Sequence, residues 1–184
     1  EKATEANGCT LKLLADTEVS EALTLAAKTN KWTFDLNGKT LTQSGTASDN
    51  AFLTFYSGTV TIVDSVGTGK VIGVNRAIYA SGNITLSITS GTFVGRNSNG
   101  LMAHSSATIN LSGGTFYTEN MDEPHSIWYN SNNVKNLLAD GYRYQNADGA
   151  ASGFGGKYAS TDWYQGVVGQ TTIAPTPERE INYI

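Results

Sequence analysis

Carboxylates, guanidiniums, imidazoles and aromatic rings are the groups in this chain that could do chemistry. Their spacing decides which chemistry is open to them. Six acidic residues fall in the central part: Asp35, Asp49, Asp64, Glu119, Asp122 and Glu123. Two carboxyl groups held across a glycosidic bond can cleave it by hydrolysis. Several on one face, beside a proton-accepting base, could hold Ca²⁺ for an elimination. The sequence supports neither arrangement. Asp49 and Asp64 have no obvious partner, and Asp122-Glu123 reads as a solvated loop. Asp35 opens Asp35-Leu36-Asn37-Gly38, a composition that favours a turn. No adjacent Asp-Asp pair and no His-Gly step occurs.

The basic and thiol groups say less. His104 and His125 share no metal-ligand spacing, and with one cysteine, Cys9, there is no Cys/His cluster for zinc. Neither a metal nor a cofactor is expected, and Cys9 reads as a small buried hydrophobe. Arg76 and Arg96 follow the glycines Gly73 and Gly95. If those glycines align, two guanidiniums on one face could grip a carboxylate, as in an acidic sugar. The plainer reading is two solvated arginines.

The elements that must position these groups come from a repeat. Gly69-Lys70-Val71-Ile72-Gly73 is followed by Ala77-Ile78-Tyr79-Ala80. Gly91-Thr92-Phe93-Val94-Gly95 is followed by Gly100-Leu101-Met102-Ala103. Gly114-Thr115-Phe116-Tyr117 is followed by Ser126-Ile127-Trp128-Tyr129. The two Gly-Thr-Phe steps are 114 − 91 = 23 residues apart. The strands leading into the turns align too: Val60 and Ile62 with Leu86 and Ile88, then with Ile109 and Leu111. Phe34, Leu36, Leu41, Leu53 and Phe55 form a looser earlier copy.

A period of this length marks a solenoid. Short runs such as Val60-Thr61-Ile62 alternate apolar and polar side chains, so one points inward and the next outward. A single coil leaves its apolar face open, and only stacking on neighbours buries it. The chain is therefore read as all-β: a right-handed parallel β-helix with a partly irregular C-terminal cap. It forms one domain over 1–184, with coils over 9–133 and a cap and tail over 134–184. The stack is clearest from about Thr33 to Tyr129. Phe93 and Phe116 should stack inside it, with Val71 or Ile72 beneath.

The ends are less regular. Thr10 to Leu25 reads as a first coil with Leu11, Leu13, Val19, Leu23 and Leu25 inside. A short capping helix from Ser20 is the alternative. Val134, Leu137 and Leu138 have helical spacing and end at Gly141. Gly149–Gly156 reads as a flexible loop, Trp163–Ile184 as a segment folding back along the stack, and Pro175 and Pro177 as an extended run. Tyr142, Tyr144, Tyr158, Trp163 and Tyr164 are expected to pack the cap.

Alternation also sorts the aromatic rings. Tyr79, Trp128 and Tyr129 fall on the third strand of their coils. With Ile78 and Ile127 inward, Tyr79 and Trp128 point outward on one face, with His104 nearby. Such rings can stack on sugars or anchor a protein. The competing register has Trp128 capping the core. Asn75, Asn97 and Asn99 read as turn residues. No Thr-x-Thr pair recurs in every coil, which argues against an ice-binding solenoid.

Composition closes off other classes. The 184 residues, with 20 glycines, 3 prolines and 15% charged side chains, suit short strands and polar turns. A net charge of −4 argues against a nucleic-acid partner. No run of apolar residues is long enough to insert in a membrane. The start at Glu1 without a methionine reads as a mature or excised fragment.

Two stretches carry a resemblance. Cys9-Thr10-Leu11-Lys12-Leu13-Leu14-Ala15-Asp16 leads to Leu23-Thr24-Leu25, then to Trp32-Thr33-Phe34-Asp35-Leu36-Asn37-Gly38-Lys39-Thr40-Leu41. With Ser90-Gly91-Thr92-Phe93, Ser112-Gly113-Gly114-Thr115-Phe116 and the closing Asn136-Leu137-Leu138-Ala139-Asp140-Gly141-Tyr142, this resembles the β-helix repeat domains of large Gram-positive, often gut-associated, bacterial surface proteins. The resemblance spans about 9–145, and its wider superfamily is that of the pectate-lyase-like right-handed β-helices. It implies a secreted or cell-surface, adhesin-like protein. The pectate lyases and polygalacturonases of that superfamily imply clustered or paired carboxylates, an arrangement that the spacing in this chain does not support. The expected function is a non-enzymatic binding module that engages a glycan or host protein through Tyr79, Trp128, Tyr129, Arg76, Arg96 and His104. A polysaccharide lyase or glycoside hydrolase is the alternative, and a structural spacer the third.

Overall fold

The structure is a computed structural model and describes residues 8–46, 51–120, 125–130, 134–146 and 166–177. The chain winds as a parallel β-helix whose coils each lay three strands on three walls. The first coil runs through β1 (Cys9–Lys12), β2 (Thr17–Val19) and the start of β3 (Leu23–Asp35). The second continues β3, then takes β4 (Thr40–Gln43) and the start of β5 (Ala51–Val63). The third continues β5, then β6 (Lys70–Gly73) and the start of β7 (Arg76–Ile88). The fourth continues β7, then β8 (Thr92–Gly95) and β9 (Leu101–His104). The fifth is β10 (Thr108–Leu111), β11 (Thr115–Thr118) and β12 (His125–Asn130). Five rungs per wall make about four turns from first to last.

The register follows the apolar alignment. On wall one, Val60 pairs with Leu86 and Ile62 with Ile88, and these pair with Ile109 and Leu111. On wall two, Leu41, Val71, Phe93 and Phe116 lie one above the other. The rings of Phe93 and Phe116 stack at 5.1 Å and 20°. Val71, not Ile72, is the residue beneath them: Val71 is buried and Ile72 only half so. On wall three, Leu23, Leu53, Ile78, Leu101 and Ile127 form the inner row. These rows make one continuous core.

The turn between walls one and two ties coil to coil. Asn37 and Gly38 adopt left-handed φ values of 51° and 71°, a conformation that Asn and Gly tolerate best. The Asp35 carboxylate accepts the N–H of Asn37 at 2.8 Å and that of Ser65, one coil on, at 3.0 Å. Asp64 accepts from Gly38 at 2.7 Å and from Gly69 at 2.6 Å. Asn37 Nδ2 donates back to the Leu13 carbonyl at 2.8 Å. Turn backbone that would otherwise lack partners is thus satisfied by side chains of its own coil and of the coil above or below.

The first coil is strand, not helix, where Leu23 opens β3. Leu11, Leu13, Val19, Leu23 and Leu25 face inward but are only half-buried. Cys9, paired with Trp32, is likewise half-buried rather than fully so.

The far end departs from the sequence expectation at Val134, whereas the described part of Trp163–Ile184 does return to the coils. The helical spacing at Val134 yields one short 3₁₀ turn, Val134–Leu137, and Leu138 then bridges in parallel to Leu111. β13 (Tyr142–Asn146), β14 (Gly166–Val168) and β15 (Thr171–Pro175) follow. β14 pairs antiparallel with β12, and β15 antiparallel with β11 and β13. The segment after Gly166 therefore closes the open edge of the last coil on walls two and three, and Leu138 meets it on wall one. Covering that edge blocks strand addition. Tyr144 is buried and donates to the Val134 carbonyl at 2.6 Å, while Tyr142 packs at the edge of the core. Tyr158, Trp163, Tyr164 and Gly149–Gly156 lie outside the described residues.

Candidate functional site

Wall three carries the aromatic rings outward. Its inner residues alternate with an outer row of Thr54, Tyr79, Met102 and Trp128, each opposite the next. Tyr79 and Trp128 are thus two rungs apart, about 9–10 Å at ordinary strand spacing. Both are half-buried, so neither caps the core nor stands free. Neighbours hold the rings. Tyr56 meets Tyr79 edge-on at 6.3 Å and 80°, and His125 meets Trp128 edge-on at 4.9 Å and 80°. Edge-to-face contact is the arrangement that the ring quadrupoles favour.

Two backbone features make room for these pairs. A register shift between Phe55 and Ser57 loosens the strand at Tyr56, which is 47% exposed. Gly166 of β14 sits opposite Trp128, and a Cβ there would strike the His125 ring and come within 3.1 Å of Trp128 Cε3. Any larger residue would push both rings aside.

His104 lies two residues beyond Met102 on the same outer side, opposite Asn130. Its Nδ1 is 3.1 Å from the Ser106 hydroxyl. Tyr129 is different. It is 7% exposed and belongs to the core. Strand alternation turns Tyr129 inward once Trp128 faces out, so it offers no ring to a ligand.

The arginines stand on the corner between walls two and three. Gly73 and Gly95 do align, and the Arg96 N–H donates to the Gly73 carbonyl at 3.0 Å. Arg76 opens β7 opposite Ala51 and is half-buried. Arg96 directs its Nε to Glu119 of the next coil at 3.9 Å, with both side chains well exposed. Burial, and then the Glu119 charge, push the neighbouring Tyr117 phenol above its ordinary pKa. Asn99 is buried, and its amide donates to the His125 carbonyl of the next coil at 2.7 Å, a tie between coils rather than within a turn.

The carboxylates Asp35 and Asp64 do not form an acid–base pair, because each is filled by backbone N–H groups. Burial pushes Asp35 up, but the Ser65 and Asn37 N–H groups, the Ser65 hydroxyl and Lys12, at 3.6 Å, together outweigh it. The carboxyl is held below its ordinary range. Asp49, Asp122 and Glu123 lie outside the described residues. Among the described residues no cluster of three metal-ligating side chains occurs, and no helix is long and apolar enough to cross a membrane.

Sequence reasoning missed Tyr56 and His125 as members of the aromatic row. The signal for Tyr56 was present, since it lies two residues beyond the outward Thr54. The contact of His125 with Trp128 had no local signal, because Gly166 comes from a distant segment. Compared with protein-family models, curated proteins and solved structures, the chain finds no match.

Proposed function

We propose that this chain is a non-enzymatic binding module that holds a glycan on the outer side of wall three. The observation that supports it is the row of Tyr79, Met102 and Trp128, with Tyr56 and His125 packed edge-on against its rings. Rings braced in this way lose little freedom on binding and offer flat apolar surface to a sugar. The likeness of the Thr33–Leu41 and Gly-Thr-Phe segments to bacterial surface-protein repeats supports display outside the cell. On this reading the host side of the contact is a glycan, and a host protein is the outcome to be distinguished. A cleaving enzyme would want two free carboxyl groups, and Asp35 and Asp64 are engaged in turns. A spacer would have no reason to cluster rings on one wall.

The test is a glycan array, run beside a pull-down from host surface proteins, with wild type, Tyr79→Ala and Trp128→Ala. The account expects a glycan ligand, weakened about tenfold or more by either substitution. Protein ligands alone would replace the glycan, and an absence of any ligand would remove the binding role.

A further inference from the structure

The outer row that carries the rings runs the whole length of wall three. Thr24 lies opposite Thr54, Thr54 opposite Tyr79, Tyr79 opposite Met102 and Met102 opposite Trp128. Gly166 of β14 follows beyond Trp128. No register shift falls at any of these pairs, so the six positions form one line across the coils. Its middle is apolar: Tyr79, Met102 and Trp128, on three successive coils, are all half-buried. Its ends are small. Thr24 is exposed, while Thr54 is buried and its hydroxyl donates to the Ala51 carbonyl at 3.5 Å. At the other end, the Cβ that Gly166 lacks would point at the His125 and Trp128 rings. Among the described residues of the row, no large side chain stands across either end.

The bracing residues stand beside the row rather than in it. Tyr56 lies two residues after Thr54, and His125 three before Trp128. The strands run parallel, so the two flank the row on opposite sides, one near each end. His104 and Asn130, paired with each other, run alongside the rings. Asn130 is exposed, and its amide bonds to no other group among the described residues. It leaves a donor and an acceptor for a hydroxyl on a sugar stacked beside it. A single pyranose is about as large as one aromatic ring. It can cover Tyr79 or Trp128 but not both, because they stand two rungs, about 9–10 Å, apart. A terminal sugar is held best by a concave pocket that encloses its free end. A row with rings in the middle and small residues at both ends suits a chain that continues past it in both directions.

We propose that wall three binds an internal stretch of a linear polysaccharide, laid across the strands along the solenoid axis, and not the terminal sugar of a branched glycan. This inference rests on the glycan reading above and narrows it to one class. Tyr79 and Trp128 stack on separate sugar units of one chain, Met102 packs beneath the linkage between them, and Asn130 bonds to a hydroxyl at the side.

The test is titration of the whole chain with probes graded in length. These run from the single sugar to the hexasaccharide of cellulose, chitin, xylan and hyaluronan, beside branched glycans capped with fucose or sialic acid. In at least one linear series, affinity should rise about tenfold or more between the single sugar and the first oligomer that covers both rings. Tyr79→Ala and Trp128→Ala should each abolish that rise. Circular dichroism confirms that each variant is folded. If neither is, Thr24→Trp takes their place, at an exposed site two rungs from Tyr79. It should strengthen the hexasaccharide and leave the single sugar unchanged. An equal effect on both, or none on the hexasaccharide, would overturn the proposal. Binding that is independent of length, or confined to the capped branched glycans, would overturn it and leave the glycan reading standing. No binding to any of these probes would remove the glycan reading and this proposal with it.

Discussion

Walls one and three share strands yet face the solvent with different chemistry. β5 and β7 each run through both walls in a single strand of 13 residues. Inside, both walls offer Val, Leu, Ile and Phe to one core. Outside, wall three offers Tyr79, Met102 and Trp128, and wall one offers Thr85, Ser87 and Asn110. The comparison separates two jobs of one repeat. Inward positions are constrained because each coil must cover its neighbour. Outward positions carry no such packing constraint, and the proposed binding chemistry is assigned to them.

The largest effect should come from breaking the core that carries both walls. Phe116→Ala empties a site stacked on Phe93 and should cost about 3–5 kcal/mol in chemical denaturation. Leu11→Ala, in the half-buried first coil, should cost clearly less. Equal losses would show that the first coil is as well covered as the fifth. A second variant addresses wall three alone. Trp128→Ala should weaken a glycan ligand about tenfold, near 1.4 kcal/mol, in a titration. Ser87→Lys should leave that affinity unchanged. The cap that seats Gly166 beside Trp128 gives a third. Tyr144→Phe removes the bond to the buried Val134 carbonyl and should cost about 1 kcal/mol.

The smallest effect is electrostatic and belongs to the turns. Asp35 is held below its ordinary value of 3.8 in the folded chain. Its unfolded form therefore binds a proton more readily, and folding gains stability from the carboxylate above pH 3.8. That gain is lost as pH falls through the lowered folded value. Denaturation midpoints should drop below about pH 4 in wild type, and the drop should be shallower in Asp35→Asn.

What the sequence made legible follows the same division. The inner rows could be read because Val60, Leu86 and Ile109 recur in type and spacing. The turn role of Asp35 could be read because Asn37-Gly38 follows it. The return of the segment after Gly166 could be read only in outline, since the antiparallel pairing of β14 and β15 with the last coil leaves no repeat to align. Val134, Leu137 and Leu138 matched a helix, but parallel pairing of Leu138 with Leu111 stopped it after one turn. Tyr129 entered the binding set through its neighbour Trp128, although strict alternation places it inside.

The central claim is that the glycan binding proposed here is confined to the outer side of wall three. Backbone amide shifts, recorded by NMR while a glycan array hit is titrated in, test it most directly. The account predicts shifts clustered at Tyr56, Tyr79, Met102 and Trp128, with Thr61, Ser87 and Asn110 unmoved. Shifts centred on wall one, or spread evenly over both walls, would contradict it.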